Sequence, residues 1–166
     1  MKPFKLMLLF LAGAFTFTNA VSQNALINIL TQNSGILHKG ETIFVEVTVN
    51  NTDPASFIGV YKIKTHISVP SAISTIASSG HILPTGWTIL SNTGAEIVLS
   101  NGKDIIAAND ARTILIAIQG NNPGGPSTIM GQLSFSNGTS PGAALGSLPG
   151  DNPADNSSIS ACKIIR

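Results

Sequence analysis

From Gly40 to Asn51 the chain reads GETIFVEVTVNN, and its side chains alternate between two kinds. Ile43, Val45, Val47 and Val49 form one set, and Phe44, Glu46, Thr48 and Asn50 the other. A period of two with one β-branched face is the pattern of a strand buried on one side. Gly40 before it and the Asn50-Asn51-Thr52-Asp53-Pro54 cluster after it mark its ends. The same alternation recurs along the chain. Asn24 to Thr31 predicts an earlier strand, closed by a Gln-Asn-Ser-Gly turn. Gly59 to Val69 predicts another: Tyr61, Ile63, Thr65, Ile67 and Val69 face one way, and Val60, Lys62, Lys64, His66 and Ser68 the other. Pro70 stops it, because proline has no N–H for a central ladder.

Weaker patterns follow. Ala72 to Ala77 reads as a short strand or turn, Trp87 to Leu90 as a short strand, and Ala95 to Ser100 as a strand after the turn Asn92-Thr93-Gly94. Asn101-Gly102 is the most specific hairpin signal in the chain. Asp104 to Asp110 predicts a brief helix or an irregular crossing. Arg112 to Gln119 is almost continuously apolar and is expected to be a central strand. After a turn-rich connection over Gly120 to Pro126, Thr128 to Phe135 predicts a further strand with Gly131 as a bulge. Ser157 to Ile165 closes the chain as a last strand. Between them, Ser136 to Asn156 is dense in Gly, Pro, Ser and Asn. Loops beyond ~12–15 residues are uncommon in compact domains, so this one is expected to be functional or mobile.

No stretch after position 20 has a convincing helical period. About seven to nine short antiparallel strands separated by Asn, Gly and Pro turns predict an all-β sandwich with Greek-key connections.

Composition changes this picture at the N-terminus. Lys2 and Lys5, the apolar run Leu6 to Phe15 and the small residues of Thr18-Asn19-Ala20 make residues 1–20 a secretory signal peptide. The run is too short for a membrane span, which takes ~20 apolar residues. A single domain over 21–166 remains, with seven basic residues against eight acidic ones. That balance argues against nucleic acid as a partner. The only cysteine is Cys162, so no internal disulfide staples the domain and the core must suffice. The expected location is secreted or on the cell surface, without a transmembrane anchor.

Several of these stretches resemble the bacterial conserved-repeat domain, domain of unknown function eleven. Gly40-Glu41-Thr42 leads into the alternating strand, and Val69-Pro70-Ser71-Ala72-Ile73 is similar to that family's strand-ending proline. Gly86-Trp87-Thr88, Arg112 to Gln119, and GDNPADNSSIS over Gly150 to Ser160 resemble its later strands and its final turn. Asn109-Asp110-Ala111 stands where members usually carry a glycine, and the usual tandem copies are absent. The resemblance implies an immunoglobulin-like sandwich on exported proteins, with no catalytic residues to carry over.

The side chains that carry chemistry are sparse. His38, His66 and His81 have no close pair, and no His-Glu-x-x-His, Gly-x-Ser-x-Gly or recognisable Ser/His/Asp set exists. Asp151, Asn152 and Asp155 offer oxygens that suit Ca²⁺, a cation that takes ~6–8 such ligands; Asn50, Asn51 and Asp53 form a second cluster. Both are also ordinary turn chemistry. Lys62, Lys64 and His66 form a strip fitted to an acidic partner or glycan, or else a solvent face or a lysine-protected strand edge. Trp87 with Tyr61 is either a sugar-stacking platform or core. Cys162 is either an inert strand residue or a thiol for intermolecular pairing. Three stretches match the N-glycosylation sequon and read equally as Asn/Ser-rich turns: Asn50-Asn51-Thr52, Asn137-Gly138-Thr139 and Asn156-Ser157-Ser158. Together these predict a non-enzymatic surface, adhesion or structural module without a cofactor, meeting protein partners at the cell surface or envelope. A carbohydrate-binding module, with or without Ca²⁺, is the alternative, and a secreted enzyme with an unrecognised site the weaker one.

Overall fold

The computed structural model describes residues 22–166, so the leader read at 1–20 lies outside them. Their strands are β1 (Ala25–Thr31), β2 (Ile36–His38), β3 (Thr42–Asn51), β4 (Ile63–Ser68), β5 (Ser74–Ile76), β6 (Thr88–Asn92), β7 (Glu96–Ser100), β8 (Ala111–Gly120), β9 (Gly124–Ser136), β10 (Leu145–Gly146) and β11 (Ser157–Ile165). The smaller sheet has the order β1-β3-β8-β5, and the larger β2-β11-β9-β4-β7-β6 with β10 added to β9. Most connections pass from one sheet to the other, which makes the all-β sandwich. The pairing is antiparallel except between β2 and β11, which run parallel.

Alternation builds the core as the pattern requires. Ile43, Val45, Val47 and Val49 are at most 5% exposed, and Ile114, Ile116 and Ile118 of β8 are fully buried beside them. From the other sheet Ile63, Ile67, Ile97, Leu99, Ile129 and Ile164 press against this layer. Each such side chain contributes about 1.5–3 kcal/mol by leaving water. No disulfide adds to this: Cys162 is free and buried.

Side chains seal both edges of the smaller sheet. Outward N–H groups of β1 would invite another strand. Instead those of Ala25, Ile29 and Thr31 donate to Asp151 Oδ1 at 3.0 Å, Ser158 Oγ at 3.1 Å and Ser160 Oγ at 3.1 Å. At the far edge, β5 covers only the end of β8. Beyond it the Ala117 N–H donates to His81 Nδ1 at 3.2 Å, and Ile82 forms a bridge with Leu115. An imidazole stands where a strand carbonyl would be.

Several local expectations change. Asn101-Gly102 is not a hairpin, since β7 and β8 lie in opposite sheets. Asn101 is buried and its side chain serves the loops instead, donating to the carbonyls of Gly59 and Asp104 and accepting from the Ile63 N–H. The same contacts delay β4: residues 59–62 form a turn, Tyr61 has a φ of +56°, and it does not extend the inward face. Gly131 is regularly paired rather than bulged. It points inward, and a Cβ there would meet Ile29 Cδ1 at 2.2 Å, so the position is glycine to seat that isoleucine. The irregularities fall at Leu90, between β6 and β7, and near Cys162, between β9 and β11. Of the predicted helix or crossing at 104–110, the structure has the crossing, with Ile106 bridged to Ile58. The stretch after β9 holds β10 and a 3-10 turn, Pro153–Asp155, and buries Leu148.

Candidate functional site

The outer face of the larger sheet carries the Lys62, Lys64 and His66 strip. Strand β4 is interior, flanked by β9 and β7, so its lysines do not guard a sheet edge. Its alternation sends Ile63, Thr65 and Ile67 into the core and Lys64, His66 and Ser68 outward. Register places Lys64 opposite Ser134, His66 opposite Gln132 and Ser68 opposite Met130 on β9. On the other side His66 faces Val98, and Ser68 faces Glu96. The next strand out pairs Ile159 with Met130. These two are 68% and 45% exposed and form an apolar step beside the polar rows.

The lysines are held but not neutralised. Lys64 Nζ donates to the Ala143 carbonyl at 3.1 Å, and Lys62 Nζ to that of Ser136 at 3.5 Å. Among the described residues the ion pairs are Arg112–Asp104 and Arg112–Asp110, and Glu96 lies against the His66 imidazole; no lysine has such a carboxylate partner. Beside Ser134 an open hollow of about 470 Å³ runs along β9 and is walled by Leu145, Gly146 and Ser147.

One constellation escaped the sequence. His66 Nε2 lies 3.0 Å from Ser134 Oγ, and its Nδ1 lies 3.5 Å from Glu96 Oε1. The three residues sit on three strands far apart in sequence, and only strand register makes them neighbours. The order hydroxyl, imidazole, carboxylate is that of an activated serine. Activation alone does not make a catalyst, since acyl transfer also needs donors aimed at a developing oxyanion. Here Ser134 is paired with Lys64 of β4, the N–H groups of Leu133 and Ser136 donate to the carbonyls of Asn156 and Lys62, and His66 and Glu96 are open to water. The geometry supports a polar cluster on a face rather than a nucleophile in a cleft.

The other singled-out residues lie elsewhere. Trp87 is 6% exposed, and its indole N–H donates to Asp104 Oδ2 at 2.8 Å, so it is a core residue and not a displayed platform. Asp151 is engaged through both oxygens, by Ala25 N–H and by Asn156 Nδ2 at 2.6 Å. Asn152 caps the 3-10 turn through the Ala154 N–H, and Asp155 Oδ2 accepts from Asn24 Nδ2. Among the described residues no three His, Cys, Asp or Glu side chains are grouped to hold a metal ion. Asn51 and Asp53 bond loop backbone in the same manner. Burial pushes the Cys162 thiol up and keeps it protonated.

Burial acts on His81 too, holding its imidazole below the ordinary range, with Nε2 buried and unpartnered. The fold favours the neutral ring, so the unfolded chain binds the proton first. Stability is therefore complete above the unfolded pKa of about 6.5 and falls as pH drops below it. Asp53, bonded by the Ala55 N–H, and Asp110, bonded by Arg112, are held below the carboxylate range. Their contribution is lost in a second window that opens near 3.8 and extends below it. A melting temperature followed from about pH 7.5 to about pH 3 is expected to fall in these two steps. His81→Asn keeps an acceptor for Ala117 and removes the first step; an upper step unchanged in that variant would contradict the assignment.

No protein-family model matches the chain, and no curated protein matches it. Its fold is similar to that of solved structures. The cohesin module of a Clostridium perfringens family 33 glycoside hydrolase is 11% identical with a TM-score of 0.50, over 87% of this chain and 97% of that one. A CARDB domain from Pyrococcus furiosus is 10% identical with a TM-score of 0.50, over 87% and 96%. The major pilin subunit of Bacillus cereus is 9% identical with a TM-score of 0.54, over 85% of this chain and 40% of that one. Among the described residues no helix is long and apolar enough to cross a membrane. At such identities the likeness is one of architecture, and it places the chain among all-β sandwiches.

Proposed function

We propose that this chain is an exported, non-enzymatic interaction module that meets a protein partner on the outer face of its larger sheet. The observation that carries the reading is the exposed Ile159–Met130 pair on two interior strands, on the same face as lysines that stand about 13 Å or more further along the sheet and that no carboxylate of the described chain neutralises. Large aliphatic side chains on a rigid, flat sheet face gain by being covered. The signal-like stretch 1–20 supports export, with the domain over 21–166 as the mature protein. Kinship with the bacterial conserved-repeat domain belongs to the same proposal, on the residues quoted for it. Likeness to a pilin subunit and a cohesin module fits a body built for contact, but it carries the shape alone. The carbohydrate reading loses its platform with Trp87 in the core.

Two measurements test this. The N-terminus of the exported protein is expected at Val21; an intact Met1 on protein retained in the cytoplasm would refute export. A photo-crosslinking residue at position 159, introduced in the producing cells, is expected to give a discrete protein adduct that Met130→Glu abolishes. The same residue at position 105, exposed on the far crossing, gives none. Equal adducts at both positions, or none at 159, would defeat the docking face.

A further inference from the structure

Resting on that docking reading, we infer that the partner presents an acidic, extended protein segment with aliphatic side chains, laid along β4 and β9. The carboxylates of the segment meet Lys62 and Lys64, and its aliphatic side chains cover Met130 and Ile159.

Charge is the first argument. The acidic side chains of the described chain are already committed or lie elsewhere. Asp104 and Asp110 hold Arg112, and Asp53, Asp151 and Asp155 bond turns. Glu41 accepts the His38 N–H, Glu46 lies on β3 in the other sheet, and Glu96, the one carboxylate on this face, sits against His66. The two ammonium groups touch only carbonyl oxygens, which orient a charge without cancelling it. Lys163, exposed on β11, adds to the same sign. An acidic partner supplies what this face lacks.

Readiness is the second. A free lysine loses much rotamer freedom on binding, but Lys64 is already tethered to Ala143 and Lys62 to Ser136. Lys62 closes the turn before β4 and Lys64 is the second residue of the strand, so the two stand at one end of the face, opposite Ser136 and Ser134 of β9, where an extended partner can bring carboxylates to both.

The apolar step decides between a peptide and an anionic polysaccharide. Sugar rings stack on aromatic faces, but Trp87 and Phe135 are buried, and the outward positions of β4, β9 and β11 carry no Phe, Tyr or Trp. Ile159 and Met130 are matched by aliphatic side chains, and methionine adapts readily to varied partners.

The test uses the mature protein and a labelled octapeptide, Glu-Leu-Glu-Ser-Glu-Leu-Glu-Ser, in fluorescence anisotropy. The expected result is saturable binding that weakens with salt and is lost when glutamine replaces every glutamate. Lys62→Gln with Lys64→Gln is expected to weaken it roughly tenfold, and Ile159→Ser with Met130→Ser roughly fivefold. The thermal transition of each variant shows that the fold is kept. Binding of the glutamine peptide with equal affinity, or indifference to the lysine substitutions, would overturn the inference. So would polygalacturonate competing through the lysines with no dependence on Ile159, because the partner would then be a glycan. A positive crosslink at position 159 with no binding of the acidic peptide removes the partner chemistry and leaves the docking face standing.

Discussion

Asn51→Leu is expected to lower the unfolding free energy by about 3–5 kcal/mol. Asn51 ends the inward row of β3 and is 1% exposed. Its amide nitrogen reaches the carbonyls of Ser56, Ala107 and Ile106 at 2.7, 3.0 and 3.2 Å, and its Oδ1 accepts the Asp53 N–H at 3.2 Å. Leucine has a similar volume but pairs with none of these groups, and Ser56 and Ile106 are themselves buried. Each orphaned polar group costs about 1–3 kcal/mol, and some relief comes as water enters the loops. Asn51→Asp is expected to be no better, since a carboxylate would face three carbonyl oxygens. Asn50→Leu, on the outward row, is the control and should change little. The midpoint of chemical unfolding measures all three, and a loss below about 1 kcal/mol for Asn51→Leu would refute the role given to this side chain.

The second large effect is at Arg112. Its guanidinium is bidentate to Asp104 through Nε at 2.7 Å and Nη2 at 3.2 Å, and it reaches Asp110 Oδ2 at 2.6 Å. It also donates to the carbonyls of Ile105 and Ala111. Asp104 accepts the Trp87 N–H on the same oxygen, so one planar cation ties the start of β8, the 101–110 crossing and the entry to β6. Arg112→Met leaves Asp104 with its side chain only 13% exposed and uncompensated. A fully buried broken pair costs about 3–5 kcal/mol; with Arg112 partly in water, about 2–3 kcal/mol is expected. Arg112→Lys keeps the charge but loses the fork and should recover only part of this. Adding Asp104→Leu to Arg112→Met should restore part of the loss by removing the stranded charge, and the Trp87 emission should report the loosened crossing. If the double variant is the sum of the two single ones, the coupling does not exist.

How far the fold is legible in the sequence differs from element to element. β3, β8 and β11 are readable to within a residue or two because each has a long β-branched or apolar alternation of its own. β4 is read too long at its start. The alternation of Tyr61 with Ile63 looks like strand, but the buried amide of Asn101 takes the backbone there into a turn. The hairpin expected at Asn101-Gly102 fails for the same reason: a side chain that usually makes its own turn is engaged with two distant segments. Gly131 looks like a bulge, and only the position of Ile29 on the facing strand explains it. At the candidate site, the Lys62, Lys64 and His66 strip is legible because the three lie in one continuous stretch, with Lys62 just before β4 and the other two on it. Its neighbours Ser134, Glu96, Met130 and Ile159 are not, because they arrive from three others.

By itself the sequence determined which residues of β3 and of β4 from Ile63 onward share the inward face, since a period of two follows from the stereochemistry of extended backbone and needs no partner. It also determined that aliphatic burial, without a disulfide, holds the domain together. Tertiary structure alone decided the order of strands, the sheet each one joined, and which polar side chains stand in for missing ladder partners, as Ser158, Ser160 and His81 do. Those outcomes rest on hydrogen bonds between segments up to 129 residues apart in the chain. No local pattern encodes such pairings, because each depends on where the other end of the bond comes to rest.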